Sequence, residues 1–140
     1  MIGAISAGLA GLVTSSLNNR ASLQEVRNRE YAADGAVEDA IAQIRGRFDD
    51  RSTSCGDPGG ASSSVVNALV IRVDWRPACT TLLGTDGLVV VQRNVLFAAC
   101  LDQSRACDDA QVIIRAQVNF QQNADGTIAK TFVQSWSVDR

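Results

Sequence analysis

Histidine is absent from the 140 residues. That removes imidazole acid–base chemistry, histidine metal ligation and the usual Ser/His and Cys/His nucleophile pairs. Lysine occurs once, at Lys130, against twelve arginines, and no basic block appears. With a net charge of −2, nucleic acid is not an expected partner. Proline occurs twice, at Pro58 and Pro77, so nothing of that kind interrupts the first third of the chain. No charged side chain precedes Arg20. The motifs G-x-x-x-x-G-K-[ST], H-E-x-x-H and G-x-S-x-G are all missing, and with them the chemistry they carry. The expectation is a non-enzymatic protein without cofactor or metal.

What is present fits one domain. Hydrophobic residues make up 46% and charged residues 20% of the chain, which argues against disorder. There are four cysteines, Cys55, Cys79, Cys100 and Cys107. A zinc site would favour C-x2-C pairs, and neither pair has that spacing. Two disulfides in an oxidising compartment are therefore expected. Four cysteines allow three connectivities; Cys100–Cys107, closing a short loop, and Cys55–Cys79 are the favoured pairs.

The opening run MIGAISAGLAGLVTSSLNN is apolar from Met1 to Val13. As a helix that part reaches about 20 Å, short of the about 30 Å bilayer core unless the chain continues upstream. No basic residue precedes it, so it is a poor secretory signal. Gly3, Ala7 and Gly11 are four apart, a spacing that lets helices approach closely; with Leu12 they are the candidate contacts in a membrane or a filament core. The plain alternative is an apolar helix with no specific packing. Helical signal continues to about Phe48. Ala33, Val37, Ala40, Ile41, Ile44 and Phe48 follow i, i+3, i+4 spacing, and Gly35 costs about 1 kcal/mol against Ala. One helix from about Ile2 to about Phe48 would be about 70 Å long. A small domain cannot bury that length, so its N-terminal half needs a partner elsewhere.

Residues 49–63 (DDRSTSCGDPGGASS) read as a loop, with Asp49, Asp50 and Arg51 as a solvated helix end. The remainder reads as about four strands. LVIRVDW alternates and is ended by Arg76-Pro77. GLVVVQRNVLFAAC is extended with a kink near Asn94. In AQVIIRAQVNF, Val112, Ile114, Ala116, Val118 and Phe120 share a face. IAKTFVQSWSV follows an Asp125-Gly126 turn, with Ile128, Phe132 and Trp136 as buried anchors. The fold class is α+β: a long N-terminal helix packed on a small antiparallel sheet. Residues 1–29 form the exposed half of the helix and 30–140 the globular part.

Weaker candidates have plain alternatives. Asp102, Asp108 and Asp109 could offer oxygens to Ca²⁺, but they lack EF-hand spacing and read as a solvated loop. Arg72, Arg93 and Arg115 could share a sheet face toward phosphates; the net charge speaks against it. Trp75 and Trp136 could stack on a ligand, though core anchoring is the simpler role.

The segment Ser16–Arg45, and within it Arg29-Glu30-Tyr31-Ala32-Ala33-Asp34-Gly35-Ala36-Val37-Glu38-Asp39-Ala40-Ile41, resembles the region past the membrane helix of PilX-type minor pilins. There the run is typically of the form "R...AFYAAEAGLEEALARL". The strands VIIRAQVNF and VQSWSV, ending in Asp139-Arg140, are also similar. The chain departs from that pattern at Ile5, where type IV pilins usually carry a glutamate. The resemblance implies a pilin-like lollipop, with Tyr31, Ala33, Val37, Ile41, Ile44 and Trp136 packing helix on sheet. It also implies other pilin subunits and, before assembly, the inner membrane as partners of the helix. The location implied is the cell envelope, as a single-pass anchor with an extracytoplasmic domain, or an extracellular pilus. The competing expectation is a secreted, disulfide-stabilised binding or adhesion module.

Overall fold

The computed structural model describes residues 3–47, 53, 56–78, 91–102, 105–123, 125 and 127–139, with the backbone alone at 3–16 and 91. One helix, α1 (Gly3–Gly46), runs for 44 residues, about 66 Å. Nothing in its sequence breaks it, and Arg45 in the last turn complements the negative helix end. Beyond Gly46, the amide of Arg47 closes the final turn onto the carbonyls of Gln43 (3.1 Å) and Ile44 (3.3 Å).

Among the described side chains of α1, only those of its second part are packed. Ala32, Ala33, Ala36, Val37, Ala40 and Ile44 are fully buried, and Ile41 packs beside them. The alanines keep this surface thin, so that a sheet can lie close, and Val37 and Ile44 supply the ridge. Residues 17–29 are all exposed. Tyr31, expected in the helix–sheet contact, is 68% exposed. At 100° per residue it points well away from the stripe of Ala33, Val37 and Ile44, so it plays no part in that packing.

Five strands, not about four, form one antiparallel sheet: β1 (Gly60–Val66), β2 (Leu69–Ala78), β3 (Val91–Leu101), β4 (Val112–Gln122) and β5 (Ile128–Val138). Their spatial order is their chain order. The inner face, toward α1, carries Ile71, Val73 and Trp75 of β2, Val95, Phe97 and Ala99 of β3, and Ile114, Ala116, Val118 and Phe120 of β4. These residues and the buried stripe of α1 make one core.

The extra strand, β1, comes from the end of the segment expected to be loop. Its register sets Ser62 against Val73 and Ser64 against Ile71. It joins β2 through Asn67 and Ala68, with φ of 51° and 63°, the two left-handed residues of a type I′ hairpin turn. β2 does not stop at Arg76-Pro77. It continues to Ala78, with Pro77 facing Val95 of β3. β1 pairs with β2 only as far as Trp75, so beyond that point β2 has an open edge, where a proline is tolerated. β3 is continuous through Asn94, and its irregularity lies at Ala99/Cys100 instead.

β5 carries another correction. Ile128, Phe132 and Trp136 are four apart, which in a regular strand would put them on one face. Register shifts opposite Gln117/Val118 and Gln121/Gln122 break that regularity. Phe132 is set against outward-facing Asn119, while Trp136 is set against inward-facing Ala116. Trp136 and Ile128 pack at the margin of the core, whereas Phe132 is 47% exposed.

Candidate functional site

The face of the sheet opposite α1 is polar. The register aligns Ala61, Asp74, Ala98, Arg115 and Ser137 in one row across all five strands. Arg76, Leu96, Gln117 and Ser135 form the next row on β2 to β5. Cys100 and Cys107 are bonded, seven residues apart in sequence, with Cα atoms 5.7 Å apart. That bond folds the β3–β4 connection back over this face. The Cys107 amide donates to Asp74 Oδ2 at 2.6 Å, and the Cys107 sulfur lies 3.6 Å from the Ala98 carbonyl oxygen. Asp74 also accepts from Arg72 at 2.8 Å. The Asp74 carboxylate thus ties the loop to the sheet.

Arg115 organises the other end. It donates to Asp139 at 2.8 Å and to Asp109 at 3.1 Å, and it takes the Asp109 carbonyl as a third acceptor at 3.1 Å. The hydrogen bonds it donates to Asp139 and then to Asp109 hold its guanidinium pKa above the ordinary value. Asp109 opens a short 3-10 turn, Asp109–Gln111, capped by Asp108. Between this turn and the strands lies an open concavity of about 840 Å³, lined among others by Gly59, Arg76, Leu96, Ala106, Arg115 and Ser137. Both acids on its lining, Asp74 and Asp109, are in ion pairs. The hydroxyl of Ser137 is directed at the Arg115 carbonyl, 3.5 Å away.

The chain matches no family model, no curated protein and no solved structure.

The sequence-expected residues divide as follows. Cys100 and Cys107 are paired as expected, whereas Cys55 and Cys79 lie outside the described residues. The helix backbone passes through Gly3, Ala7, Gly11 and Leu12, but the packing expected of their side chains lies outside what is described. Asp49, Asp50 and Arg51 likewise lie outside it. Ala33, Val37 and Ile44 are buried against the sheet, and Ile41 and Trp136 are half-buried beside them.

The arginines do not form one phosphate-facing patch. Arg93 is set against Phe120 on the helix side of the sheet, and its Nη1 lies 3.4 Å from the buried Thr53 hydroxyl. Arg72 and Arg115 are on the other face and carry acidic partners. Nor do the acids of the β3–β4 loop converge on a cation. Asp102 accepts from Ser63 at 2.7 Å, Asp108 from the Ala110 amide at 3.4 Å, and Asp109 binds Arg115. Among the described residues no group of three or more such ligands could hold a metal ion. Trp75 is a core residue, 5% exposed, with its indole over Gly60.

Sequence reasoning missed the concavity. Its one local sign was Arg72-x-Asp74, a charge pair two residues apart and so on one face of a strand. Alanines and serines among its lining, such as Ala61, Ala98, Ala106, Ser135 and Ser137, carry no signal in a single sequence.

The second candidate surface is the projecting part of α1. Leu23 and Val26 lie there 61% and 47% exposed. Glu25 and Arg29 form the helix's i,i+4 ion pair, worth about 0.3 kcal/mol. Among the described residues no helix is long and apolar enough to cross a membrane. The described disulfide fits an oxidising, extracytoplasmic compartment.

Proposed function

We propose that the chain is a non-enzymatic structural subunit of a type IV pilus or related filament, of the minor-pilin kind. One observation carries this reading. The domain completes its core with residues 32–44 of α1, yet the helix continues far beyond it, with every residue from 17 to 29 exposed. A lone helical extension of that length gains little stability in water without tertiary contacts, so it is a surface made for other subunits. The small residues Gly3, Ala7 and Gly11 suit helix-to-helix packing in a filament core, and before assembly the same apolar segment associates with the inner membrane. The stapled sheet faces outward.

A second reading, a secreted binding or adhesion module, draws its support from the concavity beside the disulfide loop. Fractionation of the native host separates the two. Sheared filaments, carbonate-washed membranes and culture supernatant are probed for the chain, with thiols counted by intact mass. Recovery in the filament and membrane fractions, with no free thiol, supports the subunit. Recovery only as a soluble protein in the supernatant overturns it in favour of the module; free thiols would also remove the compartment argument.

A further inference from the structure

Three arginines line the concavity on the polar face of the sheet: Arg72, Arg76 and Arg115. Two of them are engaged within the protein. Arg72 binds Asp74, and Arg115 is held between Asp109 and Asp139. Arg76 is exposed and has no acidic partner among the described residues. A guanidinium stays charged at any ordinary pH, so the concavity holds one cation without internal compensation. The register partner of Arg76 on β3 is Leu96. The two are directly opposite on one face, with Cβ atoms about 5 Å apart. Leu96 also lines the concavity and is half-buried. A fork of N–H donors thus stands beside an aliphatic surface.

The walls around this pair are held by the protein itself. The loop wall is tied by the Cys100–Cys107 bond, by the Cys107 amide on Asp74 and by Asp109 on Arg115. Another wall is the turn into β1, where Gly59, at φ of +90°, lies against the backbone of Trp75 and Arg76 too closely for a side chain. A ligand entering between them bears little cost for ordering the site. The volume, about 840 Å³, falls within the about 300–1,000 Å³ usual for small-molecule sites.

We propose that the concavity binds a small monocarboxylate with an aliphatic body, the carboxylate on Arg76 and the body over Leu96. The charge selects the class. A carboxylate is a planar monoanion that a guanidinium takes through two parallel N–H bonds. A dianion such as phosphate would use the same single cation and keep a surplus negative charge beside Asp74, Asp109 and Asp139, an unfavourable like-charge placement. Leu96 selects the body, because an aliphatic group laid on it leaves water. A free branched acid and the C-terminus of a short apolar peptide offer the same chemistry, and the test separates them. Binding here is independent of the pilus reading. Filament fractionation can fail while the ligand binds, and the reverse.

The test is two-dimensional amide NMR of the full chain in a non-ionic detergent, titrated with isocaproate, with acetyl-alanyl-leucine, with neutral isocaproamide and with inorganic phosphate at matched ionic strength. Acids of this size should bind with a dissociation constant on the order of a few millimolar. Isocaproate is expected to give saturable shifts at the Arg76 and Leu96 amides and at Arg76 Nε. Isocaproamide, which enters micelles equally well, should give none. Tighter binding of acetyl-alanyl-leucine assigns the peptide C-terminus as source, and equal or weaker binding assigns the free acid. Arg76→Gln should weaken binding by about tenfold or more, and Leu96→Ala by about threefold or more. The same spectra show whether each variant is folded; if Leu96→Ala is not, acetate on the wild type replaces it and should bind more weakly than isocaproate by a similar factor. Four results overturn the proposal: no saturable shift at the concavity with either acid, isocaproamide binding as well as isocaproate, phosphate binding more tightly than isocaproate, or a folded Arg76→Gln that binds as the wild type does.

Discussion

Gly35 lies inside a 44-residue helix, facing Val66 at the end of β1. A methyl group built there would lie 3.7 Å from Val66 Cγ1 and touch nothing closer. That is ordinary van der Waals contact, so Gly35→Ala meets no steric penalty. It removes the conformational freedom of glycine in a helix interior, worth about 1 kcal/mol, and adds a few dispersion contacts. Stability should rise by about 1 kcal/mol, and the melting temperature by about 3–5 °C for a domain of this size. The assay is urea unfolding followed by far-ultraviolet circular dichroism, with the midpoint rising at unchanged slope. Gly35→Leu is the control. Its larger side chain must displace Val66 and should cost about 1–3 kcal/mol. A destabilising Gly35→Ala would refute the reasoning, because it would mean that hairpin and helix approach more closely than described.

Replacing both Cys100 and Cys107 by alanine reopens a loop of seven-residue separation; the chain-entropy relation gives a loss of about 2.5 kcal/mol, read by thermal unfolding. Gly60→Ala would place Cβ 2.4 Å from Trp75 Cζ2, so the indole must move, with a loss of about 1–3 kcal/mol and a red shift in tryptophan emission. Gly59→Ala should be worse, because Gly59 has φ of +90° and its Cβ would meet the Trp75 carbonyl oxygen at 2.1 Å. Asp125 accepts from the hydroxyl and amide of Thr127 at 2.6 and 3.0 Å, and these bonds hold its pKa below the ordinary 3.8. Its contribution to stability is therefore complete above the ordinary carboxylate value and fades as pH falls through the lowered one. Carboxyl NMR titration should show Asp125 titrating low in the wild type and moving back upward in Thr127→Val.

The parts of the fold visible in the sequence are those where one physical rule acts alone. β4 is buried on one face, and its alternation of Val112, Ile114, Ala116, Val118 and Phe120 is unbroken, so it was readable residue by residue. The helix was readable because nothing in it competes with helical geometry. Where two rules compete, single-sequence reading fails. β1 opens on Gly, Ala and three Ser before its two valines, and it is held by hairpin pairing and by the fit of Gly60 beneath Trp75 more than by its own propensity. Tyr31 is apolar enough to be counted with a nearby stripe, but its angular position excludes it. Phe132 keeps the spacing of its neighbours, and the bulges that reverse its face are properties of two strands together, which no single strand announces. Of the candidate sites, the Cys100–Cys107 pair was visible. The concavity was not, because its shape comes from where a loop lands.

The order of the strands in space, identical to their order in the chain, bears on how the protein is made. Each strand finds its partner in the segment synthesised just before it, across short or moderate connections, so no strand has to wait for a distant one. Domains of such local connectivity tend to fold quickly. The sheet can grow hairpin by hairpin as the chain emerges, on a helix that has already left the ribosome. β5 arrives last, and its arrival completes the sheet. A chain interrupted before Ile128 would leave the ladder of β4 unpaired on that side, an open edge of the kind that invites misassociation.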